Sequence, residues 1–271
     1  MKFFKSVILM FLAVFLVSST VNATPVNTNT MTLNELQGVF TGIGSTINAN
    51  TDETQSEVFA FQSSGATATY VATVSYASNI NFGLYDVNDI GNTVELFDGD
   101  KYTLNPGDNA QIYIDFSAAG NTVTTYTIGA GGIQNIIDQT VLSSENVGFY
   151  IEGSYNNNPM YYSESDLNGT LADVDGDGAG DNDHFLTYEG RGDLVDIDGD
   201  PETPALNDYA HWYIAAECGD YGGDFGAPDF SDFVIQVESM QPAPVPEPAT
   251  LLLLGSGLLG FAGIRRKKSK K

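Results

Sequence analysis

The chemistry open to this chain is concentrated in three runs of aspartate. The densest is Asp173-Val174-Asp175-Gly176-Asp177-Gly178-Ala179-Gly180-Asp181-Asn182-Asp183. Alternate carboxylates, broken by glycines that permit a sharp turn, can converge their oxygens on a hard cation such as calcium. With Asp173 as position 1, Asp175, Asp177 and Asp181 fall at positions 3, 5 and 9, and the Ala179 carbonyl falls at 7. Position 12, where a bidentate carboxylate would close the shell, is His184. A neutral imidazole is a poor calcium ligand, so Asp183 or a more distant carboxylate must close it. The second run, Asp196, Asp198 and Asp200, keeps the alternate spacing, but Pro201 stands where the turn glycine belongs. It either shares ions with the first run or is a charged turn. The third run holds Asp224, Asp229 and Asp232 and leads straight into Phe233-Val234-Ile235.

The first run is similar to the calcium loops of EF-hands, dockerins and thrombospondin type 3 repeats. No flanking helices are visible, so the likeness is to the loop and not to the EF-hand fold. The third run, with Phe82-Gly83-Leu84-Tyr85 and His184-Phe185-Leu186-Thr187-Tyr188-Glu189, resembles a domain of unassigned function widespread in bacterial adhesins and exported proteins. That resemblance implies that Asp224, Asp229 and Asp232 are cation ligands at the edge of a sandwich. Ser231-Asp232 stands where the family has Asn-Asp, and Cys218 stands where an acidic residue is common.

Charge frames these runs. Between residues 24 and 247, 35 acidic residues against two basic ones, Lys101 and Arg191, give a formal charge of −33. Such a surface repels nucleic acid and anionic headgroups, which excludes nucleic acid as a partner. Self-repulsion opposes compaction unless cations neutralise it, and bound calcium is the simplest means. Cys218 is the only cysteine, so no internal disulfide exists; it is expected as a small buried hydrophobe.

Catalytic signatures are sparse. The two histidines, His184 and His211, form no His-Glu-x-x-His pair, and there is no nucleophile elbow or phosphate-binding glycine loop. Carboxylates are too abundant for any pair to indicate glycoside hydrolysis. Tyr209, Trp212 and Tyr213 are either a sugar platform or, as alternating aromatics in a strand more often are, core. Arg191-Gly192-Asp193 is an RGD tripeptide for which integrin binding is not expected in this setting. No enzyme is expected.

The elements that must position the aspartates are strands. Period-two alternation marks 58–61, 67–76, 80–86, 93–97, 110–117, 122–128, 147–153, 184–188, 210–216 and 232–237. Asp98-Gly99-Asp100, Asn105-Pro106-Gly107-Asp108 and Ala118-Ala119-Gly120-Asn121 supply turns. The expectation is an all-β fold, a β-sandwich or jelly roll with acidic calcium loops over residues 55–240. Residues 24–54 form a polar lead-in with one short element near Leu33 to Phe40. The only helical period in the body is Ile133 to Val141.

The ends carry an address. Residues 1–23 have the signs of a signal peptide: Lys2 and Lys5, the apolar run Val7 to Val17, and a cut between Ala23 and Thr24. Residues 241–248 contain four prolines and predict an extended linker. Ala249 to Ile264 is sixteen uncharged residues, about 24 Å as a helix, a short transmembrane span. Residues 265–271, including Arg265, Arg266, Lys267 and Lys268, form a basic tail held in the cytoplasm. The order Pro246-Glu247-Pro248, apolar segment, basic terminus resembles the PEP-CTERM sorting signal. This resemblance implies processing by an exosortase, a membrane enzyme of Gram-negative bacteria that make exopolysaccharide. It also implies anchoring in the inner membrane during sorting, then a place on the cell surface or in the extracellular matrix. The expected function is a calcium-stabilised structural or adhesive surface protein, with exopolysaccharide as a further partner. The alternatives are a calcium-dependent carbohydrate-binding module and, behind it, a polysaccharide-acting enzyme.

Overall fold

Alternation along the strands becomes two facing antiparallel sheets in the computed structural model, which describes residues 33–72, 80–98, 111–153, 160–168, 183–197, 205–207, 211–218 and 229–243. Helix α1 (Asn34–Gly42) comes first, then β1 (Phe59–Phe61), β2 (Gly65–Ala72), β3 (Ile80–Asp86), β4 (Asp89–Asp98) and β5 (Gln111–Ser117). There follow β6 (Thr122–Ile128), β7 (Gln134–Val141), β8 (Asn146–Gly153), β9 (Met160–Tyr162), β10 (Phe185–Glu189) and β11 (Asp193–Val195). The last are β12 (Ala205–Asn207), β13 (His211–Ala216), β14 (Phe233–Glu238) and β15 (Met240–Pro242). One sheet runs β15-β1-β8-β3-β4, with β9 also on β8; the other runs β10-β13-β14-β2-β5-β6-β7, and β11 pairs with β12 apart from both.

The space between the sheets is the main core. In β5, Ile112, Ile114 and Phe116 turn inward and are buried, while Gln111, Asp115 and Ser117 are exposed. Phe82 of one sheet stacks on Phe233 of the other at 5.0 Å, and Phe59 meets Trp212 edge-on at 5.6 Å. Each such side chain contributes about 1.5–3 kcal/mol by leaving water. Two cross-strand pairs seat a tyrosine ring over a glycine: Gly83 lies opposite Tyr150, and Gly148 opposite Tyr85. A Cβ at either glycine would collide with the facing ring, so both positions require glycine.

A second core lies on the outer face of the seven-stranded sheet. Leu33, Leu36 and Phe40, spaced by three and four, form one face of α1. Phe40 packs edge-on against Tyr188 at 5.0 Å and Tyr213 at 5.4 Å. The described part of the expected lead-in is therefore a packed layer, fastened by Thr54 N–H to the Thr187 carbonyl at 2.9 Å.

The helix expected at Ile133 to Val141 is β7 instead. Gly131 and Gly132, both at φ +78°, turn the chain back, and β7 pairs along its length with β6. As an edge strand it leaves Ile136 and Val141 exposed, which blurs the period-two signal. Across the gap between the two sheet edges, side chains of β6 and β7 bond the backbone of β4. Glu95 N–H donates to Asp138 Oδ2 at 3.0 Å, and the Glu95 carbonyl accepts from Thr125 Oγ1 at 2.9 Å. An edge that would otherwise invite another chain is thereby satisfied.

The chain leaves the fold through β15, which pairs with β1 at a sheet edge, where a proline is tolerated. Strand structure thus extends to Pro242, into the expected linker, and Ala243 N–H donates to the Val58 carbonyl at 2.8 Å. The signal segment with its Ala23–Thr24 cut, the Pro246-Glu247-Pro248 motif, the span Ala249 to Ile264 and the basic tail lie outside the described residues. No described helix is long and apolar enough to cross a membrane.

Candidate functional site

Strand register brings three of the predicted acidic residues, Asp183, Asp229 and Asp232, to one end of the sandwich. Ala216 of β13 pairs with Phe185 of β10 and with Phe233 of β14. The residues just beyond, Asp183-His184, Glu217-Cys218 and Asp229 to Asp232, are therefore neighbours. Asp173, Asp175, Asp177, Ala179, Asp181 and Asp224 lie outside the described residues, but the segments carrying them start or end at these three points.

Glu217 is the centre of the arrangement. Its Oε2 accepts the N–H groups of Asp229 and Phe230, each at 3.2 Å. Phe230 sits at φ +52°, an uncommon conformation for a bulky side chain, and is fully buried beneath α1. Burial, then the neighbouring Asp232 and Asp229, pushes the Glu217 carboxyl up to about 9, so it holds its proton at neutral pH. Asp232, itself buried, accepts from Cys218 N–H at 2.9 Å and from the Cys218 thiol at 3.1 Å. Burial and the Asp232 charge keep that thiol protonated, which makes it a donor and not a nucleophile. Asp229 Oδ1 takes the N–H and hydroxyl of Ser231 at 2.9 and 2.7 Å. From α1, Glu35 faces Asp229, and this carboxylate, followed by a little burial, raises its pKa.

His184, the residue in place of a closing ligand, is a structural pin. It is fully buried, lies flat on Tyr161 at 3.5 Å, and its Nδ1 is 3.0 Å from the Glu217 carbonyl. A carbonyl only accepts, so Nδ1 carries the hydrogen. Glu217 N–H returns a bond to the His184 carbonyl at 2.9 Å.

Asp196 is placed elsewhere. Its N–H bonds the Ile43 carbonyl at 2.8 Å, at the far end of α1 from Glu35, about 12 Å along the helix. Asp198 and Asp200 lie outside the described residues. The RGD tripeptide is used internally. Arg191 pairs with Asp52 at 2.6 Å, and Asp193 accepts from Thr46 N–H at 2.8 Å and from the hydroxyls of Thr46 and Ser45. Trp212 and Tyr213 are buried, so the aromatic stretch is core at both positions.

The donors here are hard oxygens, which suits calcium better than a soft metal. Among the described residues, no group of three or more His, Cys, Asp or Glu is arranged to hold a metal ion. Glu217 and Glu35 are members that spacing along the chain does not reveal.

What these observations define is a class: an antiparallel β protein with one crowded acidic end. At its tail, residues 244–267 match the PEP-CTERM protein-sorting motif. That motif implies an exported protein, anchored in the membrane during sorting and processed by an exosortase. No curated protein and no solved structure matches the chain. The matched residues do not reach the body, so its likeness to an adhesin domain gains no support from them.

Proposed function

We propose that the protein is a non-enzymatic, exosortase-sorted surface protein whose β domain is stabilised by calcium and serves a structural or adhesive role outside the cell. The observation that carries the calcium reading is the convergence of Glu217, Asp229 and Asp232 where both acidic loops attach, with Glu35 beside them. Beside Asp229 and Asp232 the buried Glu217 keeps its proton, and a divalent cation held there would take the place of that proton and turn the group into a ligand. In this reading Asp173 to Asp183 and Asp224 to Asp232 supply the oxygens, with Asp196, Asp198 and Asp200 a separate charged segment. Burial of Trp212 and Tyr213 argues for ions that brace the fold over ions that bridge a sugar.

Calorimetric titration of the purified chain with calcium chloride, paired with thermal melts in calcium and in EDTA, tests this. Calcium at about 100 times Kd is expected to add about 2.7 kcal/mol for each independent site. Asp175→Ala combined with Asp177→Ala removes the first loop's share. Titration without heat, together with identical melts, ends the calcium reading and leaves the sorting assignment standing.

A further inference from the structure

Among the described residues, a packed layer covers only half of the outer face of the seven-stranded sheet. Helix α1 packs over Tyr188 of β10, Tyr213 of β13 and Val234 of β14, whereas no described element packs in the same way over the outward residues of β5, β6 and β7. On this open half lies a shallow, open depression of about 570 Å³, lined by Ser64, Asp115, Ser117, Thr122, Thr124 and Gln139, with Phe116 beneath. Its polar wall is built row by row. Gly65, Asp115, Thr124 and Gln139 stand opposite one another across four strands, and Ser117 pairs with Thr122 in the next row. Gly65 leaves a notch in the first row, since a Cβ there meets nothing within 4 Å.

We propose that this depression binds a neutral oligosaccharide. The volume is in the range of small-ligand sites. Four hydroxyls, one amide and one carboxylate line it, a mixture that both donates and accepts, as a polyol requires. Gln139 Nε2 donates to Thr124 Oγ1 at 2.8 Å, which fixes the amide and leaves the threonine proton to donate outward. Asp115 supplies the one strong acceptor, suited to hydroxyl pairs. Anionic glycans are disfavoured because no lysine or arginine lines the depression and the body carries −33. A peptide strand would add along the outer edge of β7 or fill an apolar pocket, whereas the wall of this site is the hydroxyl-lined face of the sheet. This site is separate from the acidic end and does not depend on calcium.

The test is affinity electrophoresis of the purified full chain in detergent, through native gels containing mixed-linkage β-glucan, galactomannan, xyloglucan or alginate. At least one of the three neutral polysaccharides is expected to retard migration, and alginate is not. Gly65→Ile fills the notch with a β-branched residue that strands accept and that offers no ring for a sugar to stack on, so the fold persists while retardation weakens about tenfold or more. Asp115→Ala is the second variant, with circular dichroism confirming the fold of both. Retardation by none of the neutral polysaccharides, by alginate, or equally in both variants overturns the proposal. Retardation that ignores Gly65→Ile yet disappears in EDTA moves the sugar to bound calcium, overturning the proposed site while leaving the calcium reading intact.

Discussion

At the residue scale, the decisive group is a glutamate that spacing alone does not single out. Asp229 and Asp232 are legible as oxygen donors because they alternate with turn residues ahead of a strand. Glu217 becomes their neighbour only through the Ala216–Phe233 pairing, a register no local pattern encodes. His184 was legible only as a poor ligand; its role as a pin needs Tyr161, 23 positions upstream, to be folded against it. The raised Glu217 carboxyl has a consequence for pH. Its folded-state value, about 9, lies above the ~4.3 of an unfolded glutamate, so the folded chain binds more protons. Without calcium, this group's contribution is fully present below the unfolded value and is lost as pH rises toward the folded one. The slope is at most about 1.4 kcal/mol per pH unit. Glu217→Gln keeps an oxygen for the two N–H donors. It is expected to flatten the melting temperature of the chain in EDTA between pH 5 and about 8. An unchanged slope would show that other groups set the pH dependence.

At the scale of elements, legibility followed burial. β5 and β6 keep one face in the core, so their alternation is plain in the sequence, whereas β3 and β14 are buried on both faces and are marked by apolar residues more than by alternation. β9 and β11, three residues each, are too short to show any period. β7 lacks a clean buried face, and α1 hides its apolar stripe among asparagine, glycine and threonine. The helix also changes what the N-terminal segment is for: it closes half of a sheet face that would otherwise expose Tyr188, Tyr213 and Val234. Phe40→Ala is expected to cost about 3–5 kcal/mol in urea unfolding, because its ring is enclosed by two tyrosines and fully buried. A cost below about 1 kcal/mol, the range of surface substitutions, would show that this layer is not part of the cooperative fold.

At the scale of the whole molecule, charge and address act together. A body of −33 is drawn away from anionic membrane surfaces, while the tail that matches the sorting motif carries the positive charge. Deleting Pro246 to Lys271 is expected to move the protein from the membrane fraction into the medium, measured by immunoblot; persistent membrane association contradicts the sorting assignment. The tail meets the body at Ala243, one residue before the matched motif begins and still bonded to Val58. Tension on the tether is therefore borne first by β15, three residues long, before the central strands of the sandwich. If β15 peels away, the tether lengthens by about 10 Å, and Met240 leaves the core, before any central strand is loaded.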